Sequence, residues 1–107
     1  MEEAKTNSKA LWNLNDRQLI SLPKEFFLLT ALRVLHLSKN RLRSLPSELS
    51  NLVNLQVLDL SNNQLEDLPT EIGSLSKLRT FMLYNNKIST LPYTIGNLSE
   101  LRSLGLG

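Results

Sequence analysis

Apolar positions along this chain recur as a block, not at a single helical or strand period. The block L-x-x-L-x-L-x-x-N-x-L reads Leu32, Leu35, Leu37, Asn40, Leu42, then Leu55, Leu58, Leu60, Asn63, Leu65, then Leu78, Phe81, Leu83, Asn86, Ile88. All four prolines share that frame, with Pro23, Pro46, Pro69 and Pro92 standing 23 residues apart and each preceded by Leu. Three residues after each proline comes an apolar residue (Phe26, Leu49, Ile72, Ile95), and three further on comes Leu29, Leu52, Leu75 or Leu98. No insertion or deletion breaks the frame. An amphipathic helical bundle would need a 3.6 period over long segments, which regularly spaced prolines interrupt. A period of this length indicates a stacked array instead.

The chemistry of the block predicts its elements. In L-x-L successive side chains point to opposite faces, so each repeat forms one short strand with its leucines inward and their neighbours outward. The Asn that follows can satisfy backbone groups that a buried turn would leave unpaired, so stacked repeats predict a ladder of Asn40, Asn63 and Asn86. Proline suits the first turn of a short helix, and Glu25, Glu48 and Glu71 lie two residues later, where the helix dipole favours a carboxylate. Gly73 and Gly96 are expected to end their turns. One repeat cannot bury its own leucines, so neighbours must stack into a parallel-strand solenoid.

The units LRVLHLSKNRLRSLPSELSNL, LQVLDLSNNQLEDLPTEIGSL and LRTFMLYNNKISTLPYTIGNL resemble leucine-rich repeats of the 23-residue, Ras-group intracellular class, over about residues 10–107. The resemblance implies an α/β, right-handed leucine-rich-repeat solenoid, with a short parallel sheet on the concave face and short helical or 3-10 turns on the convex face. Trp12-x-Leu14, LPYTIGNL at 91–98 and LRSLGLG at 101–107 further resemble the N-terminal repeat domain of carbon-catabolite-repressor-type poly(A) deadenylases. In that family the repeat domain precedes a magnesium-dependent nuclease and docks a second deadenylase subunit. The family's final repeat continues through Gly-Asn-Pro into a linker, whereas this chain stops at Gly107, two residues short of the next ladder position.

The frame divides the chain into repeats at about 9–31, 32–54, 55–77 and 78–100 with a partial repeat at 101–107, together one domain over 9–107. Projected backward, it puts Lys9 and Arg17 where Leu and Asn are expected, as suits a degenerate capping unit, with residues 1–8 as a disordered tail. Leu101, Leu104 and Leu106 begin a fifth strand with no turn, helix or polar cap after it. An open strand edge of that kind is expected to continue in a parent protein, to pair with another molecule or a second copy, or to reflect a shortened gene.

Composition narrows the chemistry. Leucine makes up 26 of 107 residues, yet the longest apolar run, Phe26–Leu29, is only four residues, so no membrane span is expected. The opening MEEAKTNSKA lacks the apolar core of a secretory signal, and the expected location is cytoplasmic, also nuclear. A net charge of +2 argues weakly for nucleic acid, and the basic cluster Arg33, Lys39, Arg41 and Arg43 lacks interleaved aromatics, so direct nucleic-acid binding is not expected. With no Cys and a single histidine, His36, neither a metal site nor a catalytic relay is readable, and no cofactor or enzymatic activity is expected of this chain. His36 and Asp59 share a repeat position and are expected to lie side by side as a hydrogen-bonded pair, since no nucleophile accompanies them.

What remains is a surface for binding. The positions between the strand leucines form three columns: Leu11, Val34, Val57, Thr80 and Ser103; then Asn13, His36, Asp59, Met82 and Gly105; then Asn15, Ser38, Ser61 and Tyr84. From these the candidate partner-binding residues are Asn13, Asn15, Val34, His36, Ser38, Val57, Asp59, Ser61, Thr80, Met82 and Tyr84. Met82 and Tyr84 are the strongest candidates, because adaptable Met and amphipathic Tyr are common interface anchors. The expected function is a non-catalytic protein–protein interaction module that docks a deadenylase subunit in mRNA turnover. Two alternatives stand beside it: a Ras-group adaptor for a small GTPase or phosphatase, and a fragment of a deadenylase whose nuclease domain is missing.

Overall fold

A computed structural model describes residues 10–106. The expected tail at 1–8, the opening position Lys9 and the terminal Gly107 lie outside the described residues. Each repeat contributes one three-residue strand: β1 (Leu11–Asn13), β2 (Val34–His36), β3 (Val57–Asp59), β4 (Thr80–Met82) and β5 (Ser103–Gly105). They form one parallel sheet in chain order, β1-β2-β3-β4-β5. Trp12, Leu35, Leu58, Phe81 and Leu104 fall in a single row across it, so the 23-residue frame and the strand register coincide. A parallel sheet needs a crossover between strands, and here each crossover is a turn, a five-residue 3-10 helix and a loop. The helices are Lys24–Leu28, Ser47–Asn51, Thr70–Ser74 and Tyr93–Asn97. The fold is the expected solenoid, with the sheet on one face and the 3-10 helices on the other.

Two local expectations need correction. Each proline is the residue before its helix, not the first residue within it: Pro23 has φ −67° and ψ 153°, and its carbonyl accepts the Phe26 N–H at 3.0 Å. The fixed φ of proline sets the extended entry, and its missing donor still costs nothing. Gly73 and Gly96 lie inside their helices and do not end them. The helices end at Leu29, Leu52, Leu75 and Leu98, each donating its N–H to the carbonyl three residues back. Gly73 is there for space. A Cβ at that position would stand 2.7 Å from the Thr94 carbonyl oxygen of the next repeat. That close approach lets Thr94 Oγ1 donate to the Thr70 carbonyl at 2.6 Å.

The core is a stack of fully buried leucines with Ile72 and Phe81 among them. At its N-terminal end Trp12 and Phe26 meet edge to face, ring centroids 5.8 Å apart at 82°, and Phe26 meets Phe27 in the same way at 85°. These rings cover the leucines of the second repeat and make the degenerate first repeat a lid. The indole N–H of Trp12 is buried without a hydrogen-bond partner among the described residues. Asp16, Lys39, Asn62 and Asn85, again 23 residues apart, all adopt left-handed backbone with φ between 56° and 58°. They turn the chain out of the strand just before each ladder position.

Candidate functional site

The ladder holds the sheet in place. Asn63 Oδ1 accepts the Leu42 N–H at 3.1 Å, while its Nδ2 donates to the carbonyls of Leu37 and Leu60, both at 3.0 Å, and of Ser61 at 3.1 Å. Asn86 repeats the arrangement one turn later, accepting from Leu65 N at 3.0 Å and donating to Leu60 and Leu83 at 2.9 Å. Asn40 reaches back into the first repeat, where its Oδ1 accepts from both Arg17 N and Leu19 N at 3.0 Å and its Nδ2 donates to Leu14. Each amide therefore satisfies its own turn and the preceding one. The Leu37 carbonyl takes a bond from Asn40 and another from Asn63, and the Leu60 carbonyl takes one from Asn63 and another from Asn86.

On this scaffold the outward side chains line up across the strands as the columns predict. Val34, Val57 and Thr80 pair in register as one half-buried row, and Asn13, His36, Asp59, Met82 and Gly105 pair as the next. The third column does not form a surface. Ser61 is 1% exposed and Ser38 is 8% exposed, because the chain bends inward beyond the strand toward the ladder Asn. Ser61 therefore leaves the contact set as a side chain, and Ser38 nearly so. From that column Tyr84 (36% exposed) and the half-buried Asn15 remain accessible. Asn15 is engaged with the next repeat, its Oδ1 accepting the Ser38 N–H at 2.7 Å.

The expected hydrogen bond between His36 and Asp59 does not form, although the two are register partners. Ser61 lies two residues further along the chain, just beyond β3, and offers two donors, Oγ at 2.7 Å and N–H at 3.1 Å, and both converge on Asp59 Oδ1. The carboxylate turns along its own strand toward them. Sequence reasoning also missed a contact beside the face, where Asn85 Nδ2 donates to Asn62 Oδ1 at 2.8 Å. The available signal was that both stand at the same repeat position.

Met82 and Tyr84 converge on a glycine. A Cβ at Gly105 would lie 2.9 Å from Met82 Sδ and 3.5 Å from Tyr84 Cδ1, so both side chains lean over the bare backbone of β5. Two hollows, of about 280 and 290 Å³, open elsewhere, the first beside Leu83, Ile88 and Leu106 and the second beside Ile20, Lys24 and Leu45. None of the outward rows lines either hollow. Among the described residues, no group of three His, Asp or Glu side chains is placed to hold a metal ion, and no helix is long and apolar enough to cross a membrane.

Comparison with known proteins agrees with this architecture. The family described as leucine-rich repeat region matches residues 12–107. A leucine-rich repeat protein of Leptospira interrogans is 39% identical with a TM-score of 0.89, over 96% of this chain and 28% of that one. The leucine-rich repeat domain of the type III effector XopL is 26% identical with a TM-score of 0.82, over 96% of this chain and 38% of that one. An internalin (inlF) from Listeria monocytogenes is 29% identical with a TM-score of 0.74, over 91% of this chain and 27% of that one. The chain thus spans well under half the length of each. No curated protein matches it.

Proposed function

The chain belongs to the leucine-rich repeat family, and on that premise we propose that it is a non-catalytic protein–protein interaction module that takes its partner on the concave face of the sheet. The observation that carries the reading is the placement of Met82 and Tyr84, side by side over Gly105 on the outward face of the sheet. A flexible thioether and a phenol ring there can repack around a partner's side chain, and next to them the Val34, Val57 and Thr80 row supplies apolar area. The solved leucine-rich repeat structures similar to this chain support an interaction role in general.

The finer form of the reading places the module in the cytoplasm, also the nucleus, and makes its partner a deadenylase subunit in mRNA turnover. What supports it is the resemblance of Trp12-x-Leu14, LPYTIGNL and LRSLGLG to the deadenylase repeat domain. The resemblance to the Ras-group class instead favours a small GTPase or phosphatase. Affinity capture with the tagged chain from its source cells separates the two by which partner is recovered. For the face itself, Met82→Ala with Tyr84→Ala is expected to weaken the recovered partner by at least about tenfold, since each anchor is worth roughly 1 kcal/mol or more. The melting curve is expected to stay near that of the parent. Unchanged affinity in a titration refutes the concave-face assignment.

A further inference from the structure

Three arginines of this molecule are aligned by the repeat frame. Immediately before the strands, Arg33, Gln56, Arg79 and Arg102 occupy one repeat position, and their backbones are joined in series. Gln56 N donates to Arg33 O at 2.7 Å, Arg79 N to Gln56 O at 2.8 Å and Arg102 N to Arg79 O at 2.9 Å. The three guanidinium side chains are exposed along one margin of the sheet, and Arg79 is drawn only loosely to Glu100, at 3.8 Å. Along the opposite margin, Lys39, Arg41 and Lys87 are exposed as well. Two carboxylates share these margins, Glu100 beside Arg79 and Asp16 at the repeat position of Lys39. Glu25, Glu48 and Glu71 sit in the first turns of three successive 3-10 helices, on the far side of the solenoid. On the outward rows the only carboxylate is Asp59, which is held by Ser61.

We infer that the concave face takes an acidic, extended protein segment, with carboxylates along the Arg33, Arg79 and Arg102 margin and an aliphatic or methionine side chain seated against Met82 and Tyr84. The inference rests on the concave-face reading and names the chemistry of its partner. From Arg33 before β2 to Arg102 before β5 is three strand spacings, about 14 Å, which about four extended residues span. Two carboxylates within such a segment reach two guanidiniums and leave alternate side chains for the apolar row. Guanidinium forks suit carboxylates, and three exposed arginines against the single Glu100 steer and orient an acidic partner. A nucleic-acid strand fits less well. Among the outward rows only Tyr84 offers an aromatic face, where single strands need successive stacking platforms.

The test is selection from a displayed library of random short peptides on the immobilised chain, followed by titration of the best binder. Binders are expected to be rich in Asp and Glu around Leu, Ile, Val or Met, and to weaken as salt is added. Arg33→Glu, Arg79→Glu and Arg102→Glu together are expected to weaken them by about tenfold or more. The triple Gln variant, which keeps side-chain length without reversing charge, is expected to lie between this variant and the parent. Binders that need Met82 and Tyr84 but show no acidic enrichment and no response to the arginine variants overturn the acidic segment and leave the concave face standing. Binders indifferent to both sets of variants overturn the concave face too. Failure to enrich any peptide, or tighter binding of oligouridylate than of the best acidic peptide, also overturns the inference.

Discussion

Replacing Asn63 with alanine removes four hydrogen bonds, and the structure shows why the cost is smaller than four bonds suggest. Three of the four involve carbonyls with a second donor: Leu37 O keeps Asn40 Nδ2 at 2.9 Å, Leu60 O keeps Asn86 Nδ2 at 2.9 Å and Ser61 O keeps Lys39 N at 3.1 Å. The Leu42 N–H keeps nothing, because Asn63 Oδ1 is its acceptor and Leu42 is fully buried. The expected loss is therefore that of one orphaned buried donor, about 1–3 kcal/mol. Four independent bonds would instead sum to roughly 2–6 kcal/mol at the usual net value of each. For a domain of this size the orphaned donor lowers the melting temperature by roughly 4–24 °C. Amide hydrogen exchange gives the sharper readout, since the protection lost should be concentrated at Leu42. The Gln64 amide, which donates to the Leu42 carbonyl at 2.9 Å, should keep more of its own. A Leu42 amide as protected as in the parent, with an unchanged melting curve, would refute the ladder geometry.

The two helical glycines should respond oppositely to alanine. Gly73→Ala sets a Cβ against the Thr94 backbone and should destabilise by about 1–3 kcal/mol. Gly96→Ala meets nothing within 4 Å and should be neutral or stabilise by up to about 1 kcal/mol. Denaturant midpoints check both, and equal effects would mean that the Gly73 contact does not exist. Lys39 holds φ at 58°, a conformation that costs an ordinary residue about 1–2 kcal/mol and that asparagine tolerates. Lys39→Asn, matching Asn62 and Asn85, should raise the midpoint by up to about 1 kcal/mol of stability, and a fall would show that the lysine has a compensating contact.

The architecture was legible because a period without insertions forces equal crossovers, so the position of Leu35 implies those of Leu58 and Phe81 and hence the register of the sheet. The ladder was legible for the same reason, since Asn40, Asn63 and Asn86 recur where a buried turn needs both donor and acceptor. Features set by contact between repeats were not legible. The pattern marks Gly73 and Gly96 as equivalent, and only the helix of the following repeat, present beside Gly73 as Thr94, makes the first a matter of space. The candidate site divides along the same line. Its rows could be read, because strand alternation assigns Met82 and Asp59 to the outer face. Burial within a row could not be read, because Ser61 and Tyr84 stand at equivalent positions with the same backbone bend after each, yet one is buried and the other exposed. The His36–Asp59 pair does not form because the Ser61 hydroxyl takes the carboxylate, and Ser61, which the pattern assigns to the contact set, is that competitor.

The backward reach of the ladder has a consequence for how this protein is made. The first turn, around Arg17 and Leu19, contains no group that closes it; both N–H donors wait for the Asn40 side chain, more than twenty residues further along the chain. The same holds at Leu42, which waits for Asn63, and at Leu65, which waits for Asn86. On a ribosome each turn is thus finished only after the following one has emerged. The nascent chain carries one open turn at its leading edge, and that edge moves toward the C-terminus one asparagine at a time.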